Sequence, residues 1–133
     1  MKRAMLTTVM SAVLTAGLIL GAVNLATAEE NEASRLIKAL RSDNLGWRVS
    51  AAQLLGDNHE ERAVKPLIRM LNSDYSYAAR LSAAVALAKI GDKNALRALK
   101  RVSKHDRNQT VRTVALGAYG VLEEGGTQLA SEK

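Results

Sequence analysis

Arg48-Val-Ser-Ala-Ala-Gln-Leu-Leu-Gly56 is followed 32 residues later by Arg80-Leu-Ser-Ala-Ala-Val-Ala-Leu-Ala88, and 32 residues after that by Arg112-Thr-Val-Ala-Leu-Gly-Ala-Tyr-Gly120. The register holds without gaps. Small residues coincide at Ala51, Ala83 and Ala115, and large ones at Leu55, Leu87 and Tyr119. Upstream of each stretch lies a second apolar pattern: Ala33, Leu36, Ile37, Leu40; then Val64, Leu67, Ile68, Leu71; then Leu96, Leu99, Val102. Steps of three and four residues are helical. Each unit therefore reads as two helices, with expected spans 31–42 and 46–57, 61–72 and 76–90, 93–104 and 108–123. Gly91 suits a left-handed C-terminal cap, and Pro66 falls at or just inside a first turn. A helix pair of this size cannot bury its own apolar stripe, so the units are expected to stack. The fold class is all-α, an α-α superhelix of three helix pairs.

Composition supports this. The chain has 133 residues, no Cys, one Pro, no Phe and four aromatics in all, with 47% hydrophobic and 24% charged residues. That balance is too apolar for a disordered chain, and its Leu, Ala, Val and Ile suit helices better than sheets. The lack of Cys excludes disulfide scaffolds, thiolate zinc sites and thiol nucleophiles.

Residues 1–28 read as an address. Lys2 and Arg3 precede an uncharged run from Ala4 to Ala28, and Ala26-Thr27-Ala28 places small residues before the acidic Glu29 and Glu30. That is the order of a secretory signal peptide, with cleavage expected after Ala28 and a periplasmic or otherwise exported product. The alternative is an uncleaved leader anchored in the inner membrane, since 25 uncharged residues could span about 30 Å. The rest divides into a repeat domain, 29–124, and a flexible tail, 125–133. From Glu29 onward there are 17 basic and 13 acidic residues, a net +4. This favours acidic partners or weak contact with anionic lipid headgroups, and is not a nucleic-acid footprint.

The pattern Asp, four residues, apolar, Arg, two residues, Ala-Ala, then Ala-Leu-Gly and Ile-Gly-Asp resembles the HEAT repeat, in particular its short PBS-lyase-like variety. Asp74 to Asp92 and Asp106 to Gly120 carry it. The first unit departs: Asp43 is one residue nearer its Arg, and Asn58-His59-Glu60 stands at the Ile-Gly-Asp position. The resemblance implies an α-solenoid that usually binds proteins, sometimes a subunit or relative of pigment lyases, and rarely an enzyme.

The repeated Asp and Arg residues are expected to be structural. Each Asp sits in an intra-unit turn where it can accept from backbone N–H groups of the next helix, and each Arg should bond the turn Asp of its own or an adjacent unit. His59-Glu60 and His105-Asp106 fall at opposite edges, separated by a helix of about 18 Å, too far to share an ion. No phosphate loop, nucleophile elbow or carboxylate couple appears, so neither catalysis, cofactor nor metal is expected. With Val49, Ala52 and Gly56 taken as the packed side of the second helix, the opposite stripe is expected to line a concave, partner-binding face: Trp47, Leu54, Ser82, Ala86, Val111, Val114 and Ala118. A protein partner would dock there, with the tail or a self-dimer as the alternative cover for the last helix. The functional alternative is an accessory lyase-like subunit or chaperone holding a small prosthetic group.

Overall fold

The computed structural model describes residues 31–131, with side chains to Gly125. The signal-peptide reading of 1–28 lies outside these. By its contacts the chain divides between Ser34 and Arg35, and the following concerns the unit from Arg35 onward. Six helices and no strand occur among the described residues: α1 (31–39), α2 (Leu45–Asp57), α3 (Val64–Ser73), α4 (Tyr77–Ile90), α5 (Leu96–His105) and α6 (Gln109–Ser131). Single 3-10 turns, Glu61–Ala63 and Lys93–Ala95, lead into α3 and α5. There the expected helices begin three residues late.

The second helices form the spine. α2 packs on α4 and α4 on α6, while α3 leans on α4 and α5 on α6. One continuous core runs through them, with Leu55, Leu67, Leu71, Leu87, Leu99 and Val111 fully buried. Close approach along the spine depends on small residues. A Cβ on Gly56 would lie 2.8 Å from the Cα of Ala86, so only glycine lets α4 sit this near α2.

Turns and caps follow the repeat with local substitutions. Asp74 and Asp106 accept from the backbone N–H of Ser76 and Asn108, at 2.9 and 2.8 Å. In the first unit Ser42 takes this role, its Oγ accepting from Asn44 N–H, and Asp43 stands exposed beside it. Asn44 and Asn108 cap α2 and α6 by accepting from the backbone of Trp47 and Val111. Gly91 closes α4 at φ 79°, and His59, 32 residues earlier, closes α2 at φ 49°. An imidazole at left-handed φ is sterically unfavourable. Its Nδ1–H donates to the Lys89 carbonyl at 2.7 Å, tying the first unit to the second.

Two expectations need correction. α6 runs to Ser131, eight residues past its expected end, so 125–131 is helical backbone and not an irregular tail. The expected face of the second helices is also rotated, as described below.

Candidate functional site

The strongest polar feature is a ladder of arginines. Arg48 Nε and Nη2 donate to the two carboxylate oxygens of Asp74 at 2.9 and 3.3 Å, and Arg80 does the same to Asp106 at 2.8 and 2.9 Å. All four side chains are buried. Each Nη1 turns back to its own unit: Arg48 to the carbonyls of Ser42 and Asp43, Arg80 to those of Asp74 and Tyr75. The carboxylate thus belongs to the following unit and the carbonyls to the arginine's own turn. Arg112 repeats only the second half, donating from Nη1 to the Asp106 carbonyl at 2.7 Å. The Arg80 guanidinium, aided by the Asn108 N–H, holds the Asp106 carboxyl below its usual value against the opposing effect of burial. Arg48 is held more firmly charged, first by Tyr75 and then by Asp74, again against burial. These bonds lock units together, and every fork is turned inward.

The expected partner stripe does not form a surface. Ser82, Ala86, Val111 and Ala118 are buried, and Val114 is half-buried against the core. Trp47 and Leu54 are exposed, at 65% and 46%. The reason is position in the stack: on α4 and α6 this face is covered by the preceding second helix, whereas α2 is the first of the three. The outward ridge is set one residue away, about 100° around each helix. It comprises Gln53, Val85 and Gly117, then Asp57, Lys89 and Val121, and Lys89 pairs with Asp57 across the units.

A second surface lies at the edge formed by the intra-unit turns. Tyr75, in the second turn, is 71% exposed, and Tyr77, opening α4, is also exposed. Trp47, in the first turn of α2, belongs to the same edge. The Tyr75 ring rests over the Arg48 guanidinium at 4.8 Å, and its carbonyl accepts from Arg107 Nη2 at 2.8 Å. An open cleft of about 480 Å³ lies between the second and third turns, walled by Tyr75, Arg101, His105 and Arg107. A smaller one, about 330 Å³, repeats it between the first and second, beside Arg41, Asp43 and Tyr75. Next to the larger cleft α5 carries Arg97, Lys100, Arg101 and Lys104, all exposed and spaced along one helical face with no acidic residue between them. Aromatic rings held over rigid turns, with cations at the rim, suit an acidic polypeptide. They are too open to enclose a small prosthetic group.

Sequence reasoning named Trp47 but missed Tyr75, Tyr77, Arg101 and Arg107. Their signal was available as aromatics and cations crowded around turns instead of along helices. Among the described residues no helix is long and apolar enough to cross a membrane, and no three His, Cys, Asp or Glu side chains are grouped for a metal. The family model for HEAT repeats matches residues 33–120. No curated protein matches the chain.

Proposed function

Because the chain belongs to the HEAT-repeat family, we propose that it is a non-catalytic binding module of the cell envelope which takes an acidic segment of a partner protein along its turn edge. Repeats of this kind commonly mediate protein–protein contact. The single observation that carries the more specific reading is the cleft between the second and third turns, where an exposed tyrosine ring stands over Arg101, His105 and Arg107 beside the cationic face of α5. Aromatic rings supply contact area at little cost in side-chain entropy, and cations attract carboxylates over roughly a Debye length, about 8 Å at physiological salt. Trp47 and Leu54 extend the apolar contact at the first unit. The expected export rests on the residue order of 1–28.

Capture from a periplasmic extract, read by mass spectrometry, tests the reading. The native chain should retain an acidic partner that elutes as salt is raised, and the folded double variant Tyr75→Ala, Arg101→Glu should lose it. Equal retention by both would refute the turn edge as the binding surface. Terminal sequencing of the recovered chain tests export: Glu29 is the expected first residue, and an intact Met1 speaks for a retained leader.

A further inference from the structure

We propose that two copies of this chain pair through the open face of α6, antiparallel and about a two-fold axis. The face is defined by the repeat. On α2 the residues that receive the next second helix are Val49, Ala52 and Gly56, and on α4 they are Leu81, Ala84 and Ala88; none of these six is exposed. The equivalents on α6 are Thr113, Leu116 and Gly120. Here Thr113 is exposed, Leu116 is 60% exposed, and a Cβ on Gly120 would meet nothing within 4 Å. At Gly56 glycine is required by a neighbouring backbone; at Gly120 the same residue faces open space. Arg112, the third rung of the ladder, reaches no carboxylate among the described residues, unlike Arg48 and Arg80. The segment expected to fold back over this face instead prolongs the helix to Ser131, and a helix cannot cover itself.

The sequence of the face is self-complementary when reversed. Set α6 antiparallel to a second α6 with the axis at the level of residue 118, and Leu116 of each copy stands opposite Gly120 of the other. The side chain meets the position that has none. In the same register Arg112 stands opposite Glu124, an exposed carboxylate on the same helical face, once at each end of the contact. The pair thus supplies to Arg112 what Asp74 and Asp106 supply inside the molecule. A two-fold contact closes at two copies. The head-to-tail alternative, α6 of one copy against α2 of the next, lacks the matching group: the first turn carries Ser42 where the other turns carry the ladder aspartate. Such stacking would also place Leu116 and Leu54, both large, where the internal contacts use alanine.

The experiment is sedimentation velocity on the purified chain from about 10 μM to about 1 mM, the range suited to a contact one helix long. The mass should rise with concentration and stop at two copies. Leu116→Asp should raise the dissociation constant at least about tenfold with helical circular dichroism unchanged. Glu124→Arg should weaken the pair by itself, and adding Arg112→Glu to it should restore association, because the exchanged charges meet again across the axis. A single monomeric mass throughout, growth beyond two copies, a dimer indifferent to Leu116→Asp, or a double variant no tighter than Glu124→Arg alone would each overturn the proposal.

Discussion

Arg80 and Arg112 occupy the same place in successive units but differ in what neutralises them. Arg80 is buried and held by both oxygens of Asp106, whereas Arg112 is half-buried and bonded only to a carbonyl. Deleting one member of a buried pair leaves the other charge uncompensated, which costs about 3–5 kcal/mol. Arg80→Ala is therefore expected to lower the unfolding free energy by about 3 kcal/mol in urea titration, and Arg112→Ala by about 1 kcal/mol or less, the worth of one hydrogen bond. The same pair sets an acid response. Asp106 has its carboxyl below the ordinary value of 3.8 in the folded state, so its stabilisation is complete above that value and is lost as pH falls through the folded pKa. Thermal melting from neutral pH down to about pH 2 should show this loss at the acid end. Asp106→Asn, less stable at neutral pH, should lose less on acidification.

At the scale of the element, the two helical glycines give opposite expectations. Gly56→Ala drives a Cβ into the Ala86 backbone and should destabilise by about 1–3 kcal/mol. Gly120→Ala enters open space within a helix and should stabilise a single copy by about 0.5–1 kcal/mol. Chemical denaturation of both variants at low concentration, where copies are separate, checks the contrast. The helices themselves were legible in the sequence because the 32-residue period, the three-and-four spacing and Gly91 all agree. The facing of the second helices was not. An interior second helix is covered on two sides, so Ala, Ser and Leu encircle it and no polar face marks solvent; Ser82 and Ala86 suit a covered position as readily as an open one. The extension of α6 was hidden by Gly125 and Gly126, which read as a stop although the helix passes through them. The turn edge was missed because Tyr75 and Arg107 belong to no helical stripe.

Across the whole molecule charge is graded along the stack. Successive 32-residue blocks starting at Glu29 carry net charges of −2, +2 and +4. The attraction for an acidic partner should accordingly be strongest at the third unit and weaken with ionic strength. Replacing Arg97, Lys100, Arg101 and Lys104 by Gln should flatten the salt dependence of partner capture while leaving the melting temperature within a few degrees, since all four side chains are exposed. The exposed aromatics of the turn edge, which set contact area, should instead change affinity at every salt concentration.

The ladder also imposes an order in time. Each buried arginine finds its carboxylate 26 residues further along the chain, never behind it. As a nascent chain emerges amino end first, a helix pair that is already through still holds an unneutralised cation, and it cannot settle until the next turn has followed. Closure of the stack must trail synthesis by nearly one full repeat, and a chain broken off before Asp106 leaves Arg80 without its counter-charge, marking it as unfinished.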